Sequence, residues 1–75
     1  MKARDKKIIE DSERDGIPIF VLTAKDLISE KGINLYLTQC KHNLCDKNFC
    51  DLVRDRLVEF RLWQKNNPSK VKLPD

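Results

Sequence analysis

Glycine is scarce in this chain, with only Gly16 and Gly32 among 75 residues. No glycine-rich loop is therefore present to cradle a phosphate, and no nucleophile elbow appears. No run approaches the roughly 20 apolar residues of a membrane span, and no stretch has the build of a secretory signal, so a soluble intracellular protein is expected. Histidine occurs once, as His42, with no third group in the pattern to orient it as the base of a nucleophile, so catalysis is not expected. Paired carboxylates such as Asp51 and Asp55 fall on the wet face of a helix, where solvation explains them. The three cysteines, Cys40, Cys45 and Cys50, are odd in number. That argues against a secreted disulfide framework and for reduced thiols. Their spacing with His42, C-x-H-x2-C-x4-C, lacks the tight pairs of structural zinc sites. Neither a metal nor a cofactor is expected.

Charge is weak in sum and uneven in place. Fifteen basic residues face twelve acidic ones. The first sixteen residues cancel, and the excess resides after Phe60, in Arg61, Lys65, Lys70 and Lys72 against Asp75. A local anionic ligand suits that placement better than a long nucleic-acid track, which asks for a more basic surface. Seventy-five residues also lie near the lower limit for a self-sufficient core, where a partner subunit is a common support.

The one strongly β-prone stretch is Ile17-Pro18-Ile19-Phe20-Val21-Leu22-Thr23-Ala24. Ile17, Ile19 and Val21 alternate with Phe20 and Leu22, so both faces are apolar. The run then stops in Thr23, Lys25 and Asp26. Residues 1–16 read as a flexible charged arm or a frayed helical turn, closed at Asp15-Gly16, and residues 17–75 as one domain. A first helix is expected from about Ser29 to Asn43, with Ile33, Leu37, Cys40 and Leu44 on its buried face. A second runs over residues 47–66 behind Asp46 as cap, with Phe49, Val53, Leu57 and Phe60 as its stripe, broadened by Leu52, Leu62 and Trp63. The tail, Lys70-Val71-Lys72-Leu73-Pro74-Asp75, alternates like a short edge strand that pairs with the first. The pattern predicts an α+β domain, strand–helix–helix–short strand. Two strands make only a marginal sheet, and two helices cover one face of it. The other face is expected to lie against a second copy in a homo-oligomer.

Pro18-Ile19-Phe20-Val21-Leu22 with Ala24 and Asp26 resembles the opening of a group of very short phage-encoded proteins. In these a P-[IV]-F-V-[LI]-[RG]-[AG]-x-D strand precedes two helices. Tyr36 matches an aromatic midway along the first helix, Trp63 a tryptophan near the end of the second, and the Lys70–Asp75 tail a basic, proline-containing close. The likeness covers residues 17–75 and is identified with the viral sponge family called anti-CBASS protein four. Thr23 stands where arginine is frequent, Lys25 where glutamine is, and Ser29-Glu30 where Ala-Pro often opens the helix. The resemblance implies a tetramer in the cytoplasm of an infected bacterial host. There it would sequester a cyclic dinucleotide such as 3'3'-cyclic GMP–AMP and so block CBASS antiphage signalling.

On this reading Thr23, Lys25 and Asp26 contact the ligand at the strand end, and Tyr36 and Trp63 stack on bases. Arg61, Lys70 and Lys72 would meet phosphate. Neither membrane nor DNA is an expected partner. Two other readings fit the same residues: a small phage protein that inhibits a host protein by direct contact, and a weak nucleic-acid-binding accessory protein.

Overall fold

Two long helices lie where periodicity and capping place them. The computed structural model describes residues 2–74; Met1, and Asp75 at the end of the expected tail pattern, lie outside the described residues. The chain forms α1 (Ala3–Asp15), α2 (Ser29–His42) and α3 (Lys47–Asn66), with a 3-10 turn at Pro68–Lys70. The Asp46 carboxylate caps α3 by accepting from the Asn48 amide at 3.1 Å, which satisfies one of the donors that a helix start leaves unpaired.

Between α2 and α3 the chain reverses through residues 43–46. The amides of Leu44 and Cys45 bond back to the carbonyls of Lys41 and Cys40, the paired bonds of a Schellman close. This requires a left-handed residue, and Leu44 supplies it at φ 55°. Its side chain is consequently 90% exposed, so the expected buried line Ile33–Leu37–Cys40–Leu44 ends at Cys40. Among the described residues the buried apolar ones are Leu37, Cys40 and Leu57, where α2 and α3 fold back on one another.

The N-terminal stretch differs from the expected arm or single frayed turn. Residues Ala3–Asp15 form a 13-residue helix. A helix that is polar nearly all round draws its support from side-chain pairs. Lys7 reaches Asp11 at 3.0 Å, and Arg14 reaches Asp11 at 3.2 Å. Gly16 closes it at φ 66°, with the Gly16 amide on Glu13 and the Ile17 amide on Ser12. Asp15-Gly16 is thus a helix terminus rather than an isolated turn.

The α+β expectation is overturned. Among the described residues there is no strand and no sheet, and the domain is all-helical with three helices. Residues 17–23 run without regular secondary structure, and no amide from Ile19 to Lys25 donates a backbone hydrogen bond among the described residues. The tail does approach this region, but at one isolated parallel bridge between Asp26 and Lys72. There the Leu27 amide bonds to the Lys72 carbonyl at 2.8 Å and the Lys72 amide to the Lys25 carbonyl at 2.9 Å. The physical reason is the arithmetic of pairing. β-Propensity expresses how well a side chain packs on a pleated surface, and the 3-10 turn brings the tail alongside only past the end of the β-prone run. Phe20, on one of the two apolar faces of that run, is 86% exposed.

Candidate functional site

A turn and the tail make the recess that holds most of the expected ligand contacts. Residues 24–26 are fixed from several sides. The Gln64 amide nitrogen on α3 donates to the Ala24 carbonyl at 3.1 Å and to the Asp26 carbonyl at 3.2 Å. The Ser29 hydroxyl, on a fully buried side chain, donates to the Asp26 carbonyl at 2.7 Å. Asp26 Oδ1 accepts from the Ile28 amide at 2.8 Å, an Asx-type close that directs the chain into α2. With this turn held, the bridge to Lys72 lays the tail beside it. The result is a shallow depression of about 260 Å3 lined by Val21, Thr23, Lys25, Asp26, Lys72, Leu73 and Pro74.

Thr23, Lys25, Asp26 and Lys72 therefore meet, although Lys72 is far from the others in sequence. Two lysines and a threonine among the lining residues suit an anion. Asp26 is chiefly a structural residue here, because its carboxylate and its carbonyl both hold the α2 start.

The remaining expected contacts lie elsewhere. Arg61 spans from α3 to α2, where its Nε is 2.6 Å from Glu30 Oε1. This bond ties the two helices together, and Arg61 does not line the depression. Lys70 ends the 3-10 turn and does not line the depression. Trp63 is half-buried on α3, and its carbonyl accepts from the Asn67 side chain at 2.9 Å.

Tyr36 faces a different recess, an open apolar cleft of about 680 Å3 lined on one side by α1 (Arg4, Ile8) and on the other by Ile33, Tyr36 and Phe49 of the α2–α3 pair. Tyr36 and Phe49 meet edge to face, with centroids 6.4 Å apart, and the Arg4 guanidinium lies 5.6 Å over the Phe49 ring. Partial desolvation raises the Tyr36 phenol above its ordinary range, and the nearby Cys40 thiol adds to this. Burial likewise pushes the Cys40 thiol up, with neighbouring Cys45 reinforcing it. Both groups stay neutral near pH 7, and Cys40 is a packing residue rather than a thiolate nucleophile. All three cysteines are free thiols. Among the described residues no three His, Cys, Asp or Glu side chains converge as a metal ion requires, and no helix is long and apolar enough to cross a membrane.

Gln64 is the functional-site residue that sequence reasoning missed. It sits on the expected second helix with no motif to mark it, and its role depends on which backbone carbonyls the fold brings within reach. No family model, curated protein or solved structure matches the chain.

Proposed function

We propose that the chain is a non-catalytic binder that sequesters a cyclic dinucleotide, such as 3'3'-cyclic GMP–AMP, in the cytoplasm of a phage-infected bacterium. The observation that carries this reading is the meeting of Thr23, Lys25 and Lys72 in the lining of one depression. Each ammonium is a point charge suited to a phosphodiester oxygen, and the Thr23 hydroxyl adds a neutral donor. At about 260 Å3 the depression falls below the roughly 300–1,000 Å3 of pockets that enclose a drug-sized ligand. One chain thus supplies half of a site. A cyclic dinucleotide has two phosphates related by an approximate two-fold axis, so two depressions facing across such an axis match it contact for contact. Sequestration requires affinity without turnover, which lysines and a hydroxyl provide.

Titration calorimetry with cyclic dinucleotides tests the reading. The expected result is saturable binding at one ligand per two chains. Lys72→Ala and Lys25→Ala should each weaken binding by roughly 10- to 100-fold, the worth of one charge-assisted hydrogen bond. Absence of binding across a panel of cyclic dinucleotides would overturn the proposal. Parental affinity in both variants would remove the depression as the site. Strong DNA binding that falls steeply with salt would favour the nucleic-acid reading instead.

A further inference from the structure

The larger recess of the molecule takes no part in the depression beside the tail. The cleft of about 680 Å3 between α1 and the α2–α3 pair shares no lining residue with it. Its volume falls within the roughly 300–1,000 Å3 of sites that hold small molecules. Most of the lining is apolar, with Ile8 from α1, Leu22 from the segment after α1, and Ile33, Leu52 and Val53 from the α2–α3 pair. An apolar body is therefore the part of a ligand that the cleft would shelter.

The charged residues of the lining differ in how they are paired. Arg56 meets Asp5 at 2.9 Å and Glu59 at 3.3 Å. Among the described residues no carboxylate pairs with Arg4. Its guanidinium lies 5.6 Å from the centroid of the Phe49 ring, which belongs to the facing wall. That contact holds the cation at the cleft without neutralising it. One cation left over matches a ligand with a single negative charge, because Asp5 in the same lining would repel a second.

Gly32 points to a ligand independently. It lies within α2, where glycine is the least favourable residue other than proline. Its φ is not in the left-handed region, so the backbone does not require it. Packing does not require it either, since an added Cβ would meet nothing closer than Leu22 Cδ1 at 3.8 Å. Gly32 and Leu22 both line the cleft. The room that the missing side chain leaves is space in the cleft.

We propose that this cleft binds a small aliphatic monocarboxylate, with its chain between α1 and the α2–α3 pair and its carboxylate on the Arg4 guanidinium. The forked donors of arginine suit a carboxylate in particular. The ligand would also join the two walls. α1 is tied to α3 through the ion pairs of Lys2 and Arg56, and a bound chain would add apolar contact across the gap. Binding should therefore steady α1.

Titration of the full chain with octanoate at neutral pH, below its micelle concentration, is the test, followed by amide NMR shifts and amide exchange. Saturable shifts confined to residues around the cleft should accompany slower exchange over α1. Decanoate should bind roughly 10-fold more tightly, because two further methylenes leave water. Arg4→Gln should weaken octanoate by roughly 10-fold, the worth of one charge-assisted hydrogen bond, and leave octanol unchanged. Gly32→Leu should weaken both by roughly 10-fold or more with the helical circular dichroism retained, since leucine is the better helix former. Octanoate that fails to saturate overturns the proposal, as does parental affinity in Gly32→Leu. Equal weakening of acid and alcohol by Arg4→Gln does so too. So do shifts at the cleft that arise on concentrating the free chain and that octanoate leaves unaltered, because the occupant would then be a second copy.

Discussion

Between α2 and α3 the contact is apolar: Leu37, Cys40 and Leu57 are buried there, and the Arg61–Glu30 pair spans its flank. Between α1 and that pair the contact is ionic. Lys2 reaches Glu59 at 2.9 Å, Glu59 in turn meets Arg56 at 3.3 Å, and Arg56 meets Asp5 at 2.9 Å. Among the described residues no Cα of α1 comes within 8 Å of a Cα of α2 or α3, and the apolar cleft occupies the gap. One molecule thus contains two modes of attachment. Burial is insensitive to salt and costly to undermine, whereas half-exposed ion pairs are screened and individually weak.

The largest effect should come from breaking the apolar side of this contrast. Leu57 is 2% exposed, and Leu57→Ala should cost about 2–5 kcal/mol by lost burial and the cavity left behind. In so small a core that is enough to melt α2 and α3 together, which urea denaturation followed by circular dichroism would register. Phe20→Ala provides the counterpart. Had that ring been buried, its loss would rank with that of Leu57; exposed as it is, the folding stability of the single chain should change by within about 0.5 kcal/mol. A large loss for Phe20→Ala in a demonstrably monomeric sample would show that the ring packs against its own chain.

Breaking the ionic side should matter less and more locally. Arg56→Gln removes the group that joins Asp5 to Glu59. The expected cost is about 0.5–1 kcal/mol, at the upper end for half-exposed pairs because one guanidinium serves two carboxylates. Amide exchange should accelerate over α1 and remain unchanged over α2 and α3, and molar salt should reproduce the pattern in the parent. Uniform acceleration over all three helices would mean that α1 and the α2–α3 pair form one cooperative unit.

The same contrast explains which parts of the fold were legible in the sequence. The bounds expected for α2 and α3 agree with those found to within a residue at each end. Apolar residues at helical spacing, with Asp46 before Lys47 and Asn67-Pro68 after Asn66, mark both burial and termini. α1 was not legible, because Ile8 and Ile9 are its only conspicuous apolar pair and its supports are ion pairs, some to residues on α3 distant in the chain. The run at 17–24 misled for the opposite reason. Its alternation describes what the segment can pair with, and no strand lies beside it among the described residues. In the candidate site, Thr23, Lys25 and Asp26 were adjacent in sequence, and the tail's alternation pointed to Lys72. The pairing of Arg61 with Glu30, the separation of Tyr36 from Lys72 and the anchoring by Gln64 all depend on how helices are disposed in space.

The smallest effect, and the one that separates the two attachments most finely, is the response to acid. Hydrogen bonding to the Lys2 ammonium holds the Glu59 carboxyl below the ordinary glutamate range, with Arg56 assisting. Asp51 is similarly lowered, by Lys47 and then Arg54. A carboxyl with a depressed folded pKa contributes stability that is complete above its unfolded value, roughly 4. That contribution is lost as pH falls through the lower folded value, and raising the pH from 5 to 8 changes nothing through either group. The structural consequences differ. Lys47, Asp51 and Arg54 all belong to α3, so protonating Asp51 removes support within one helix and no contact between helices. Glu59 lies on α3 while Lys2 immediately precedes α1, so protonating Glu59 releases a tether between them. An acid titration followed by residue-resolved amide exchange should therefore show α1 losing protection below about pH 4 while α2 and α3 retain theirs. Glu59→Gln should lose most of this dependence and begin with a less protected α1 at neutral pH. Should α1 keep its protection through the acid range in the parent, the ionic tether through Glu59 would not be what holds it, and the apolar lining of the cleft, with Ile8 on one side and Phe49 and Leu52 on the other, would have to be doing so.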